Sequence, residues 1–232
     1  MKRDFELDKV RLFNCDCMDF MAEIPDNHYD LAIVDPPYGI GLGSGITGEL
    51  KTNFGGKSNK IIKTNYVSEF DDSHIPDKEY FKELFRVSKN QIVWGVNYYK
   101  YAIFTSGRIV WDKDNGRSNQ SDCELAFISN INSVRKFKFR WHGLLQQDMK
   151  NKEKRIHPTQ KPIQLYKWLL TNYAKPNDKI FDSHGGSFSS ACAALDMGFE
   201  FDGCELDKDY FDSAVERIRN HSQLYLDFQE DK

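Results

Sequence analysis

A short apolar run that ends in two prolines constrains the fold more than any other feature of the sequence. Residues 31–34 are Leu-Ala-Ile-Val, a length and composition that predict a buried strand. Asp35, Pro36, Pro37 and Tyr38 follow directly, and neither proline can donate a hydrogen bond to a sheet. We therefore expect an acid, a rigid turn and an aromatic ring at the carboxyl edge of a sheet, where open α/β folds bind their ligands.

Composition limits the kind of protein that can surround this strand. The chain has 232 residues, enough for a single α/β domain over residues 1–232. A formal net charge of -3 excludes a protein that is basic throughout, so any contact with nucleic acid has to come from a local patch. Five cysteines without a Cys-x-x-Cys pair favour reduced thiols in a cytoplasm and no metal site. No run is long and apolar enough to span a membrane, and no signal-peptide core follows the start.

A second predicted strand leads into a glycine turn near the end of the chain. Residues 179–182 have the pattern of a strand, and residues 189–197 have that of a helix. Gly185 and Gly186 lie between them, and paired glycines let the backbone approach a ligand closely. A strand, a glycine turn and a helix in this order are typical of a nucleotide-binding unit.

Two further acids follow predicted strands, as Asp35 does. Glu205 ends the strand after the glycine turn, over residues 199–205, and a carboxylate there can accept hydrogen bonds from both hydroxyls of a ribose. Asp16 follows a first predicted strand over residues 10–14. Two interpretations of Asp16 stay open and are compatible with each other. Asp16 can bind a ligand in the pocket, and it can also cap the N-terminus of the short helix that comes next.

The Asp-Pro-Pro-Tyr sequence of residues 35–38 resembles the catalytic motif of the amino-group DNA methyltransferases, which methylate the exocyclic amine of adenine or cytosine. The resemblance implies that the Asp35 side chain and the Pro36 carbonyl, next to Pro37, accept hydrogen bonds from the amine. It also implies that Tyr38 stacks on a base taken out of the duplex. The lone pair of such an amine is delocalised into the ring, so two fixed acceptors are needed to turn it toward a methyl donor. The resemblance implies S-adenosylmethionine as that donor.

A later, proline-bounded segment supports the same family. His157-Pro158-Thr159-Gln160-Lys161-Pro162 resembles the segment that precedes the family's cofactor-binding strand. The resemblance implies that polar groups of His157, Thr159 and Lys161 approach the amino-acid end of the cofactor. By the same resemblance, the cofactor-binding residues around the glycine turn are Asp182, Ser183, His184, Gly185, Gly186 and Ser187.

The glycine turn departs from the family's common sequence, Asp-Pro-Phe-x-Gly-Ser-Gly. Ser183 replaces the proline, His184 replaces the phenylalanine, and Phe188 replaces the last glycine. These departures keep a catalytically inactive, DNA-binding subunit open as an alternative function.

The order of the segments predicts the architecture and the reaction. A catalytic motif that comes first and a cofactor turn that comes last resemble the permuted arrangement of the family. This implies a Rossmann-like α/β fold with a mostly parallel, seven-stranded sheet and helices on both faces. The expected reaction is methylation of the N6 amino group of adenine in DNA. N4-cytosine methylation stays an alternative, although the family often has Ser in place of Asp35 for cytosine.

The basic residues that could contact double-stranded DNA lie in two segments. Residues 39–66 are rich in glycine, and we expect a mobile loop that orders on DNA, with Lys51 and Lys57 near phosphates. Residues 130–156 are a candidate DNA-recognition insertion because basic and aromatic residues alternate within them. The candidate contacts there are Arg135, Lys136, Lys138, Arg140 and Arg155. A strand edge guarded by lysines is the alternative for this segment. The resemblance leaves a homodimer and a cognate restriction endonuclease open as partners.

Overall fold

The computed structural model describes residues 3–41, 73–100, 104–116, 121–142 and 145–230, with side chains as far as residue 223. The strands within these ranges are β1 (Phe5–Leu7), β2 (Val10–Asn14), β3 (Tyr29–Val34), β4 (Ser88–Trp94), β5 (Arg108–Asp112), β6 (Cys123–Ile128), β7 (Val134–Lys138), β8 (Trp141–His142), β9 (Leu145–Gln146), β10 (Lys179–Asp182) and β11 (Glu200–Glu205). The helices are α1 (Cys17–Ala22), α2 (Lys78–Val87), α3 (Ile163–Tyr173), α4 (Ser189–Met197) and α5 (Lys208–Glu230). None of these described helices has the length and apolar character needed to cross a membrane.

Nine strands form one mixed sheet in the described ranges, in the order β1-β2-β11-β10-β3-β4-β6-β5-β7. The central strands β2, β11, β10, β3 and β4 run parallel to one another. β6 pairs antiparallel with both β4 and β5, and β8 and β9 form a separate hairpin. The expected Rossmann-like, mostly parallel α/β sheet is confirmed.

The sheet has two more strands than the seven expected. β1 joins β2 through a two-residue turn in which Asp8 has a φ of 51°. A strand of three residues is too short to produce a period-2 pattern in the sequence, so β1 could not be predicted. At the opposite edge β7 pairs in parallel with β5, so this part of residues 130–156 extends the sheet instead of standing apart from it.

Helices cover both faces of the sheet because side chains alternate along the central strand β3. Leu31 and Ile33 pack in one core with α3, α4 and α5, whereas Ala32 and Val34 pack in the other with α1 and α2. All four side chains are no more than 1% exposed. Burying a large aliphatic side chain this far stabilises the fold by about 1.5–3 kcal/mol. A strand that is buried on both faces requires an uninterrupted apolar run, which is the pattern at residues 31–34.

The chain changes direction across the sheet between β10 and β3. From β10 it crosses to β11 through α4 on one face, whereas from β3 it crosses to β4 through α2 on the other. A crevice opens outside the carboxyl ends of the strands at such a switch point. The ends of β2, β3, β10 and β11 bring Asp16, Asp35, Asp182 and Glu205 to this edge.

Candidate active site

A cavity of about 390 Å³ opens at the switch point. Its volume lies within the range of pockets for cofactors and other small molecules, about 300–1,000 Å³. The cavity wall includes all the predicted cofactor residues except Asp182, together with Asp35 and Pro37 of the catalytic motif. The residues on the wall that the sequence analysis did not select are Cys15, Cys17, Gln160, Tyr166, Leu206, Asp207 and Tyr210.

The glycine turn is closed by hydrogen bonds between backbone donors and one carboxylate. The Gly186 N–H donates to Glu205 Oε2 over 2.7 Å, and the Asp207 N–H donates to Glu205 Oε1 over 2.8 Å. Burial raises the pKa of Glu205, whereas the backbone N–H groups of Asp207, Gly186 and Leu206 favour its ionised form. A carboxylate has about four acceptor positions, so Glu205 can also accept a hydrogen bond from a ribose in the cavity.

Asp182 lies beneath the turn and supports it. Its Oδ2 accepts a hydrogen bond from Ser190 Oγ over 2.6 Å, and its Oδ1 accepts from the His184 N–H over 3.1 Å. The side chain is 1% exposed, and burial raises the pKa of Asp182 to about 7. Asp182 therefore ties the turn to the start of α4, and a contact with the cofactor stays a prediction for it.

Phe188 adopts the left-handed backbone conformation that glycine favours, with a φ of 50° and a ψ of 42°. Its side chain is fully buried. A Cβ built on Gly185 would lie 2.1 Å from the Phe188 ring, and one built on Gly203 would lie 2.4 Å from it. The ring thus fills the space that the two glycines leave, and this packing offsets a backbone strain of roughly 1–2 kcal/mol. The replacement of the family's last glycine is accommodated in the core and not in the cavity.

Ser183 and His184, the other two departures from the family's turn, are hydrogen-bonded to each other. Ser183 Oγ lies 2.8 Å from His184 Nδ1 and 2.7 Å from the Tyr80 hydroxyl. Burial lowers the pKa of His184 to about 4, so the ring is neutral at pH 7. In the ranges that the structure describes, no group of three or more His, Cys, Asp or Glu residues could hold a metal ion.

His157 and Thr159 are hydrogen-bonded to each other within the segment of residues 157–162. The Thr159 N–H donates to His157 Nδ1 over 3.3 Å, and Thr159 Oγ1 lies 3.0 Å from the same nitrogen. The His157 ring packs against Tyr210, with 4.3 Å between ring centroids. Burial lowers the pKa of His157 to about 3, so the imidazole ring is neutral where it borders the cavity.

Asp16 is the N-cap that one of its two interpretations predicted, and it also borders the cavity. Its Oδ1 accepts a hydrogen bond from the Met18 N–H over 2.7 Å, so it caps α1. The residue also lies on the cavity wall. A contact with the cofactor stays a prediction for Asp16.

The catalytic motif presents its acceptor groups beside the cavity. Asp35 Oδ1 accepts a hydrogen bond from the Tyr38 hydroxyl over 2.5 Å, and Asp35 Oδ2 contacts the Lys161 ammonium. The Tyr99 hydroxyl donates to the Pro36 carbonyl over 2.8 Å. Carboxylate and carbonyl oxygens each have two acceptor positions, so Asp35 and Pro36 retain the capacity to bind an amine.

Two carboxylates and two ammonium groups form a cluster next to the motif. The Lys161 ammonium, with a side chain 3% exposed, contacts Asp35 and lies 3.1 Å from Glu124 Oε2. Lys113 Nζ lies 2.5 Å from Glu124 Oε1. We call Asp35, Glu124, Lys113 and Lys161 the charge cluster. Sequence reasoning missed Glu124 and Lys113, and no motif in the sequence marks either of them.

The charge cluster separates the proton affinities of its two carboxylates. Burial raises the pKa of Asp35, and although Lys161 opposes this, Glu124 adds to it. Burial would raise the pKa of Glu124, but the ammonium groups of Lys161 and Lys113 bring it down to about 2. Burial would lower the pKa of Lys161, but Asp35 and Glu124 together raise it. Glu124 is therefore the ionised partner, and Asp35 is the more basic carboxylate.

Tyr38 is held by its neighbours with little freedom. A Cβ built on Gly95, whose φ is +75°, would lie 2.2 Å from the Tyr38 ring, so only glycine fits there. The ring stacks on Tyr98 with 5.0 Å between centroids and 15° between planes. Tyr98 belongs to the turn after β4, at the same edge of the sheet. The stacking of Tyr38 on a target base stays a prediction.

The residues predicted to contact DNA are only partly described by the structure. Lys51, Lys57 and the predicted loop beyond residue 41 lie outside the described residues. Arg135 is exposed on β7, the edge strand of the sheet. Arg155 places its guanidinium 4.8 Å from the centre of the Trp141 ring. A contact between DNA and any of these residues stays a prediction.

The other three predicted DNA contacts have acidic partners within the protein. Lys136 Nζ lies 3.5 Å from Asp112, and Lys138 Nζ lies 2.8 Å from Asp114. A guanidinium nitrogen of Arg140 lies 2.6 Å from the same Asp114. Exposed pairs of this kind are worth at most about 1 kcal/mol, so phosphate groups can displace them. A recognition surface over residues 130–156 stays a prediction.

Comparisons with known proteins show what the chain is similar to. The family model described as DNA methylase matches residues 63–216 of the chain. The type II methyltransferase M2.DpnII of Streptococcus pneumoniae is 22% identical over 256 residues, which cover 94% of this chain and 93% of that protein.

Solved structures share the fold of the chain. The complex of M1.HpyAVI with SAM has a TM-score of 0.53 at 16% identity, and the match covers 90% of this chain and 99% of that one. The PvuII DNA methyltransferase, which is cytosine-N4-specific, has a TM-score of 0.56 at 11% identity, with 91% of this chain and 90% of that one covered. At these identities the likeness shows the α/β architecture alone.

Proposed function

The chain belongs to the DNA methylase family, and we propose that it transfers a methyl group from S-adenosylmethionine to the N6 amino group of adenine in double-stranded DNA. Methylation of DNA with S-adenosylmethionine follows from the family, whereas the target base and the duplex substrate are the proposal. One observation carries the assignment of the methyl transfer to this site: Asp35 lies on the wall of the same cavity as Gly186 and Glu205. The acceptor for the amine and the turn for the cofactor therefore face one space.

The residues on one wall of the cavity fit S-adenosylmethionine. Glu205 offers carboxylate oxygens to the ribose, and the backbone of Gly185 and Gly186 borders the cavity without side chains. His157 and Thr159 approach from the segment before α3. When bound there, the cofactor supplies a methyl group activated by its sulfonium sulfur.

Asp35 and the Pro36 carbonyl orient the target amine, and Asp35 accepts its proton. Two acceptors draw its hydrogens out of the plane of the base, so that the nitrogen lone pair is free to form the new bond to carbon. As that bond forms, the nitrogen has to release one proton. Asp35 takes it, because it already accepts a hydrogen bond from the amine and is the more basic carboxylate of the charge cluster.

Two observations support an active adenine enzyme over the alternatives. The acid at position 35 favours adenine, since the family often has Ser there for cytosine. The three departures in the turn do not close the cavity: Phe188 points into the core, and Ser183 and His184 bond to each other. This arrangement argues against an inactive subunit.

Incubation of the purified full chain with tritiated S-adenosylmethionine and unmethylated duplex DNA tests the proposal. Nucleoside analysis of the product should give N6-methyladenine, and single-stranded DNA of the same sequence serves as the matched substrate control. N4-methylcytosine instead would contradict the target base. If no methyl group is transferred and calorimetry detects no cofactor binding, the result would favour an inactive subunit.

We further propose that the protein acts in the cytoplasm, as a homodimer and beside a cognate restriction endonuclease. All five cysteines are free thiols, which suits a reducing compartment. The relative from Streptococcus pneumoniae is named a type II methyltransferase, which supports a modification role. Light scattering of the purified chain with and without DNA tests the homodimer, and a monomer under both conditions contradicts it.

A further inference from the structure

Glu124 lies in the charge cluster but has no role in the reaction described above. We propose that Glu124 is a positioning residue for the methyl transfer: it binds the Lys161 ammonium, which also contacts Asp35, and so holds Asp35 in a fixed orientation toward the amine. The inference deepens the proposed function and rests on it.

The geometry places the Lys161 ammonium between two carboxylates. Glu124 comes from β6, which pairs antiparallel with β4 at the side of the sheet next to Asp35. Its Oε2 lies 3.1 Å from Lys161 Nζ and 3.5 Å from the Tyr38 hydroxyl. That hydroxyl donates to Asp35 Oδ1. Glu124 therefore reaches both groups that occupy the oxygens of Asp35.

The four charges balance in a place that is largely shielded from water. The side chains of Lys161, Asp35, Lys113 and Glu124 are 3%, 15%, 18% and 21% exposed. Two negative and two positive charges leave no net charge on the cluster. Removing one member would leave an uncompensated charge that is poorly hydrated, which is more damaging than removing an oppositely charged pair.

Lys161 connects the two walls of the cavity. Its backbone carbonyl accepts a hydrogen bond from Ser189 Oγ over 2.7 Å at the start of α4, which follows the glycine turn. Its side chain ends on Asp35 and Glu124. Without Glu124, the ammonium would lose one of the two carboxylates that fix its place, and Asp35 would lose its fixed orientation toward the target amine.

The variant Glu124→Gln tests this positioning role in the full chain. We expect kcat to fall by about 100-fold, because a small displacement of reacting groups has an effect of that order. The dissociation constant for S-adenosylmethionine, measured by calorimetry, should stay close to the wild-type value. Glu124→Asp, which keeps the charge on a shorter side chain, should recover part of the lost kcat.

The pH profile provides a readout that a merely structural role would not change. The alkaline limb of kcat should move to lower pH in Glu124→Gln, because Lys161 loses one of the two carboxylates that raise its pKa. The other charged and titratable groups near this cluster are Asp35, Tyr38, Lys113, His157, Tyr166 and Asp182. Glu124 raises the pKa of Asp35, Tyr38 and Tyr166, so those pKa values should also fall in the variant.

A double variant separates positioning from stability. Glu124→Gln with Lys113→Gln restores the charge balance, so its thermal unfolding midpoint should return toward the wild type while kcat stays low. Glu79→Gln is the matched control, because Glu79 makes an exposed pair with Lys82 and should leave every readout unchanged.

The outcomes that overturn the inference are distinct from those that overturn the proposed function. Recovery of both stability and kcat in the double variant would make Glu124 a structural residue only. A folded Glu124→Gln protein with the kcat and pH profile of the wild type would also end the inference. A wild-type chain that transfers no methyl group to DNA would contradict the proposed function itself, and the inference with it.

Discussion

The two walls of the cavity are built in different ways. On the cofactor side, which comprises residues 182–188 and Glu205, the turn is held by backbone donors, and Gly186 and Glu205 lie only 19 residues apart in the chain. On the catalytic side, which comprises residues 35–38 and the rest of the charge cluster, side-chain charges make the contacts. Lys161 reaches Asp35 across 126 residues, and Tyr38 reaches Glu124 across 86.

This difference explains where the chain tolerates departures from its family. Backbone N–H groups donate whatever side chain they carry, so Ser183, His184 and Phe188 can replace the common residues without loss of the turn. Each member of the charge cluster depends on the others, because a buried charge without its partner is strongly unfavourable. The cofactor side can therefore vary in sequence, whereas the catalytic side has to change in pairs.

The largest expected effect comes from Asp35→Asn, which should separate the two walls. An amide offers one acceptor oxygen instead of two and cannot take the proton of the amine. We expect kcat to fall by about 10³- to 10⁴-fold. Calorimetric binding of S-adenosylmethionine should stay close to that of the wild type.

Glu205→Gln is the corresponding variant on the cofactor side. Hydrogen bonds to a charged group contribute about 1.5–3 kcal/mol, so cofactor binding should weaken by about 10- to 100-fold with a smaller change in kcat at saturation. If Asp35→Asn weakened cofactor binding as much as Glu205→Gln does, the two walls would act as one unit and the comparison would fail.

The next effect concerns the strained residue of the cofactor side. Phe188→Ala should lower the free energy of unfolding by about 3–5 kcal/mol, since it empties a fully buried site. Phe188→Gly should be more stable than Phe188→Ala by about 1 kcal/mol, because glycine adopts the left-handed conformation without strain. Urea unfolding measures both variants. An alanine variant more stable than the glycine variant would show that the left-handed backbone at this position carries no strain.

The smallest expected effect is a pH dependence on the cofactor side. Because burial raises the pKa of Asp182 to about 7, the folded protein binds a proton that the unfolded chain releases at lower pH. The stability from this group is present below its ordinary pKa and is lost as pH rises through about 7. Asp182→Asn should therefore remove a decline on the order of 2 kcal/mol between pH 5 and pH 8. Urea unfolding at several pH values checks this, and an unchanged decline in the variant would contradict it.

Elements with strong local signals were predicted with little error. β10 and α4 have the bounds expected from the sequence, Lys179–Asp182 and Ser189–Met197. Glu205 ends β11, and Asp16 caps α1. β1 was missed because three residues are too few to show the alternating pattern of a strand. The expected count of seven strands was wrong in part because it left out β1, an edge strand of the sheet.

The basic residues of the edge strand show a different limit of sequence reasoning. Alternation indicated a charged face on β7, and the exposed pattern of that strand agrees with it. The sequence could not show that Asp112 and Asp114 lie beside Lys136 and Lys138, because those acids come from another strand and the loop after it. Whether the face meets DNA depends on charges that only the fold brings together.

The strands, the glycine turn and the acid at the end of β3 depend on residues close to one another in the chain, so the sequence specifies them. Glu124 and Lys113, in contrast, complete the site around Asp35 only because the fold brings distant segments together. Their charges pair because they lie within a few ångströms of each other in a place that water reaches poorly. No local pattern of residues records that approach.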